Sequence, residues 1–164
     1  MDEVTRIQKL TAGYPRFADG RIDYSNERVC FVLNCVVVSG NWVLLTKRSD
    51  KVIAYPGAIN GISGFIDNTS VRLEELAKNE LSEEVAAPIK EIQALKISQP
   101  FIQVDDKINR EWHVYAVLVE FSRKFKPSIN WENKQAKWYK IAEARSLELL
   151  PGFAETMDAA LKMR

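Results

Sequence analysis

From Val29 to Val38 the chain is almost continuously apolar and rich in β-branched residues, interrupted only by Asn34. Bounded by the turn formers Ser39-Gly40-Asn41, this run predicts a buried strand, and Trp42 to Thr46 beyond the turn predicts its hairpin partner. Ser49 to Gly64 contains Pro56, Gly57, Gly61 and Gly64. That density of breakers predicts a long ordered loop with a short strand near Ile59 to Ile62. Val71 to Val85 is built of helix formers with no internal Gly or Pro and a stop at Pro88, and so predicts a helix. Strands are expected at Ile92 to Ile102 and Glu111 to Glu120, flanking a turn at Asp105-Asp106-Lys107, and again at Lys137 to Ile141. Ala142 to Leu150 and Phe153 to Met163 predict closing helices divided by Pro151-Gly152. Residues 1–28, with Gly13, Pro15 and Gly20, predict an irregular or short-strand entry segment. Strands before and after a central helix, with helices at the end, predict a mixed α/β layered domain, and no repeat or linker divides the 164 residues.

Composition fits that layout. With 46% hydrophobic and 27% charged positions the chain can bury one sizeable core, which excludes a disordered or collagen-like protein. Lys and Arg number 23 against 22 Asp and Glu, a net charge of +1, so no global field favours extended nucleic acid or an anionic membrane. A ligand must be recognised locally. The longest apolar run is far short of the ~20 residues that span a bilayer, and Met1-Asp2-Glu3 gives no positively charged lead into an apolar secretory signal. The expected location is the cytoplasm. Cys30 and Cys35, an odd number of positions apart in one strand, are expected to be buried thiols on opposite faces and not a disulfide.

Chemistry enters with the central helix. On a wheel of about 100° per residue, Leu73, Leu76, Ala77, Glu83 and Glu84 all fall within about 60° of Glu80. Three carboxylates therefore share the apolar arc, although Arg72, Glu75, Lys78, Asn79 and Ser82 show that a polar face was available. Like charges one turn apart repel, more so when desolvated, unless a cation or proton intervenes. One reading has the glutamates at the margin of the stripe, reaching water on their long stems. The other is a site for a divalent cation. Carboxylates without His or Cys suit Mg²⁺ or Mn²⁺, and Mg²⁺ fills its remaining positions with water and substrate phosphate.

The stretch Gly64-Phe65-Ile66-Asp67, followed by Asn79-Glu80-Leu81-Ser82-Glu83-Glu84-Val85-Ala86-Ala87, resembles the Nudix box, G-x5-E-x7-R-E-U-x-E-E-x-G-U with U aliphatic. Arg48-Ser49-Asp50-Lys51-Val52, Tyr55-Pro56-Gly57 and Ser63-Gly64-Phe65-Ile66-Asp67 are similar to a Nudix subgroup that enters its box through an RS-x-K-V…YPG…SG-Y-I-E loop. The resemblance runs from about Val29 to Ala87, with a weaker echo at Trp131-Glu132 and Trp138-Tyr139. It implies an α/β/α sandwich around a mixed β-sheet and hydrolysis of a nucleoside diphosphate linked to another moiety. It also implies Glu80, Glu83 and Glu84 as metal ligands and water activators, with the Gly64 backbone carbonyl as a further ligand to Mg²⁺ or Mn²⁺.

Three positions depart from the box. Asn79 stands where the family has Arg, Ala86 where it has Gly, and the span from Gly64 to Asn79 is one residue longer, leaving Ser70 or Val71 at the place of the first Glu. In the family that Glu and Arg support each other as an ion pair, so two readings follow: a metal-dependent hydrolase of a small nucleotide-type diphosphate, or a nucleotide-binding or interaction module on the same scaffold. Secondary candidates are Asp67, equally a turn or capping residue; Lys47 and Arg48, phosphate holders or a solvated strand end; and Glu132, an extra acid or base or a surface residue. Tyr55, Trp112 and Trp131 could stack on a base or pack as core. His113 reads as a packed imidazole.

Overall fold

The computed structural model describes residues 1–164. Its centre is a pair of parallel strands, β1 (Val29–Ser39) and β7 (Arg110–Phe121), in register over ten residues from Val29–Glu111 to Val38–Glu120. The other strands add antiparallel: β2 (Trp42–Arg48) on the C-terminal half of β1, β3 (Ile59–Asn60) and β8 (Asn133–Lys140) on β2, and β4 (Ile62–Phe65) on the N-terminal half of β1. Strands β5 (Ile92–Ile97) and β6 (Phe101–Asp105) share the far side of β7. The result is one mixed sheet of eight strands.

A central strand covered on both faces needs apolar side chains at successive positions, which accounts for the unbroken run in β1. Phe31, Leu33, Cys35 and Val37 pack with Leu73, Ala77, Leu81 and Val85 of α2 (Leu73–Val85), while Val36 and Val38 pack with Phe153, Met157 and Ala160 of α4 (Phe153–Leu161). This is the α/β/α sandwich the resemblance implied. Cys35 and Cys30 are buried free thiols. Cys30, at the mouth of β1, sits 3.4 Å from the Arg110 guanidinium.

Three elements differ from the sequence expectation. Residues 1–28 begin with a helix, α1 (Glu3–Leu10), which Asp2 caps by accepting from the Thr5 amide at 3.0 Å and the Thr5 hydroxyl at 2.8 Å, with Ile7 buried against the core. The single strand expected over Ile92 to Ile102 is two strands, parted at Ser98-Gln99-Pro100, where proline has no N–H to continue a ladder. The helix expected from Ala142 to Leu150 is confined to α3 (Ile141–Ala144). Beyond it Leu149 bridges Ile59, and the Leu150 amide donates to the Ile59 carbonyl at 2.7 Å, so tertiary pairing overrides local propensity.

No helix is long and apolar enough to cross a membrane.

Candidate active site

Helix α2 presents its apolar stripe to the sheet, and Glu80 and Glu84, one turn apart, lie along the edge of that stripe. Glu84 is 3% exposed, and its Oε2 accepts a hydrogen bond from Asn133 Nδ2 at 3.0 Å. Burial pushes its pKa up to about 8, against the opposing pull of the Asn133 bond and of Arg48 and with the help of nearby Glu132 and Glu80. Glu80 is half-buried and rests directly on the backbone of Gly64, in the space a Cβ there would fill. Its pKa is also raised to about 8, by burial first and then by Glu132, Glu83 and Asp67. Glu83 is exposed on the solvent edge of the helix. The wheel's three carboxylates thus separate into two partly desolvated groups and one solvated neighbour.

The segment before β8 completes the acidic group. The Ser128 amide donates to the Val85 carbonyl at 3.0 Å and the Asn130 amide to the Glu84 carbonyl at 3.3 Å, so this segment laps the end of α2. The Ser49 amide then holds the Glu132 carbonyl at 2.8 Å. These bonds place Glu132 beside Arg48, on the wall of a cleft that Arg48, Gly64 and Glu132 share with Asn34, Tyr55, Asn60, Phe65 and Trp112. Of the basic pair, Arg48 is the one that lines the cleft. It is half-buried, its Nε donates to the Ala54 carbonyl at 2.9 Å, and desolvation lowers its pKa.

The other sequence candidates take different places. Asp67 pairs with Arg21 at 3.2 Å, its backbone carbonyl accepts from Ile22, and burial raises its pKa against that pairing. Tyr55 lines the cleft from a left-handed backbone conformation (φ 52°), with its hydroxyl donating to Asp105 at 2.6 Å. Trp131 is 64% exposed and stands outside the cleft lining. His113 donates to Glu111 at 2.8 Å and packs on Phe31, as a structural imidazole does. Asn79 is exposed, Ser70 and Val71 precede the helix, and Ala86 ends it with φ 50°.

Sequence reasoning did not single out Asn133, Asn34 or Asn60. Asn34 carried a usable signal, as the one polar residue in an otherwise apolar central strand.

The family profile described as NUDIX domain matches residues 29–161. The chain belongs to the Nudix family. No curated protein matches it. Among solved structures, the Nudix domain of Shewanella oneidensis NrtR, complexed with ADP ribose, is 16% identical with a TM-score of 0.70 over 99% of each chain. A Caenorhabditis elegans Ap4A hydrolase binary complex is 16% identical with a TM-score of 0.61, covering 82% of this chain and 94% of its own. The bifunctional NMN adenylyltransferase/ADP ribose pyrophosphatase of Francisella tularensis, complexed with AMP and a Mn ion, is 16% identical with a TM-score of 0.63, covering 98% of this chain and 46% of its own. At these identities the likeness is one of fold. It agrees with this Nudix chain's mixed eight-stranded sheet.

Proposed function

We propose that this protein is a cytoplasmic, Mg²⁺- or Mn²⁺-dependent hydrolase of a small nucleotide-type diphosphate, cleaving a nucleoside diphosphate linked to another moiety. One observation carries the reading: Glu80 and Glu84 are held side by side in partial desolvation, where two ionised carboxylates repel, beside an open cleft that Gly64, Arg48 and Glu132 line. No three His, Cys, Asp or Glu side chains converge into a complete protein cage. The donor chemistry nevertheless fits a hard cation that takes few protein ligands, since the neighbouring donors are carboxylate oxygens and the bare Gly64 backbone.

Glu80 and Glu84 would hold the cation with the Gly64 carbonyl, and Glu83 would contribute from the solvent edge. When bound, such a cation supplies neutralisation of the diphosphate and acidification of water. The chain's own contribution lies around it. Asn133 fixes the Glu84 carboxylate, leaving its other oxygen free. Arg48, desolvated and anchored through Nε, would have its remaining N–H groups available to phosphate oxygens. Glu132, near enough for its charge to act on both Glu80 and Glu84, would accept a proton from an attacking water. Phe65 and Trp112 offer faces on which a base can stack.

The names of the similar structures set the first compounds to assay: ADP-ribose and a dinucleoside polyphosphate, each with Mg²⁺ or Mn²⁺, with scission of the phosphoanhydride followed directly. Metal-dependent formation of two phosphorylated fragments is the expected result. A second reading, a binding module without turnover, is favoured by exposed Asn79 and by Ser70 and Val71 at the positions of the box Arg and Glu. Binding of these compounds with no product in either metal selects it.

A further inference from the structure

The loop between β2 and β3 puts Ala54 and Tyr55 on the cleft wall, yet little of it is tied to the body of the protein. Residues 50–54 make no backbone–backbone hydrogen bond, and Ile53 is fully exposed. The ion pair of Asp50 with Lys134, at 3.0 Å, is exposed on both sides and adds little. Tyr55 moreover takes a left-handed conformation with φ 52°, which a bulky residue keeps only where its surroundings over-determine it.

Two side-chain bonds do so. Arg48 Nε donates to the Ala54 carbonyl at 2.9 Å, and the Tyr55 hydroxyl donates to Asp105 Oδ2 at 2.6 Å. Burial first, and Asp105 after it, raise the Tyr55 pKa to about 12, so the proton stays on the tyrosine. Asp105 is itself anchored. It ends β6 opposite Arg110 of β7, and its Oδ1 accepts from the Lys107 amide at 3.1 Å. The carboxylate therefore belongs to the sheet, and through it the loop does too.

The Ala54 carbonyl and the Tyr55 nitrogen share one planar peptide, so holding Tyr55 also holds the acceptor for Arg48 Nε. A guanidinium is planar, and fixing the direction of its Nε–H fixes the plane of its remaining donors. Asp105 stands outside the cleft lining. We propose that Asp105 is a positioning residue which, through Tyr55 and the Ala54-Tyr55 peptide, orients the Arg48 guanidinium for phosphate. The proposal rests on the reading of the cleft as a nucleotide-diphosphate site.

Two measurements on the intact chain test it. The first is limited trypsin cleavage after Lys51, an exposed loop residue, followed by mass spectrometry without ligand. Tyr55→Phe and Asp105→Ala should each speed cleavage by about tenfold, and the double variant should be no faster than either. Asp105→Asn, whose amide can bond the hydroxyl in either orientation, should stay near the parent rate. Cleavage unchanged in both single variants overturns the latch. The second is calorimetric binding of ADP with Mg²⁺. Tyr55→Phe and Asp105→Ala should weaken ADP by about tenfold in the parent, but by less than about twofold in an Arg48→Gln background, and Asp105→Asn should again resemble the parent. An equal loss in both backgrounds overturns the route through Arg48. Tyr55→Phe keeps the ring and carries both measurements should Asp105→Ala fail to fold. No binding of ADP by the unaltered protein overturns the nucleotide-diphosphate reading itself, on which the trypsin measurement does not depend.

Discussion

Glu80 places its carboxylate in the space that a Cβ on Gly64 would fill, so a helix side chain meets the strand backbone with no Cβ between them. Gly64 has an ordinary negative-φ strand conformation, and the glycine is therefore needed here for the close approach and not for backbone freedom. Gly64→Ala should fold, because the displaced atoms are the far end of a flexible side chain, but it should swing the carboxylate away. Metal affinity, followed by titrating activity with Mg²⁺, should fall by about tenfold to a hundredfold, while the melting temperature without metal changes little. An unaltered Mg²⁺ titration would separate Gly64 from metal binding.

Glu84→Gln should abolish metal-dependent turnover and leave the fold intact or slightly more stable, since it replaces a buried carboxyl whose ionisation the site opposes with a neutral group and keeps an oxygen for Asn133. Millimolar Mg²⁺ should raise the melting temperature of the parent more than that of the variant by selective binding to the folded state. Glu74→Gln, on the partly exposed first turn beside Arg72, is the control. Equal activity in the two variants would take the carboxylate pair out of the chemistry.

The same two carboxylates set a pH dependence. Their ordinary value is 4.5, and in the fold both are raised to about 8, so between those limits the native state holds protons that the unfolded chain has lost. With divalent cations chelated, their contribution to stability is fully present below about pH 4.5 and lost as pH rises through about 8. Urea midpoints should accordingly fall across this window, and the slope should be shallower in Glu84→Gln. A midpoint rising over the same interval contradicts the arrangement.

Ala86 closes α2 in the left-handed region with φ 50° and ψ 43°, its amide shared between the Leu81 and Ser82 carbonyls. An L side chain is strained there and glycine is not. Ala86→Gly should gain about 0.5–1 kcal/mol of stability by chemical denaturation, because the residue is exposed and loses no packing. A loss of stability would show that this turn draws on the alanine methyl.

Most of this architecture was legible where local pattern and burial agree. The β1 run, the breaker-rich loop and α2 are each fixed by residues within their own span. The Asp2 and Thr5 cap of α1 was also present in the sequence, but the glycines and proline farther along obscured it. What was not legible depends on distant partners. Glu132 and Asn133 join the site because the loop before β8 laps α2, and residues 145–150 leave the helix because Ile59 offers them a backbone partner. Glu80, Glu83 and Glu84 look equivalent on a wheel. Only the placement of the sheet and of that loop makes two of them buried and one exposed.

The pairing of β1 with β7 has a consequence for how the chain reaches its native state. Each of the ten paired residues lies 82 positions from its partner, as Val29 does from Glu111 and Val38 from Glu120. During synthesis the most apolar strand therefore emerges long before the strand that covers its edge. Until β7 arrives, Val29 to Val38 presents unpaired N–H and C=O groups along a hydrophobic surface, and such non-local closure is slow. The interval between translation of residue 38 and residue 120 is thus when this protein is most exposed to aggregation and most dependent on chaperone protection.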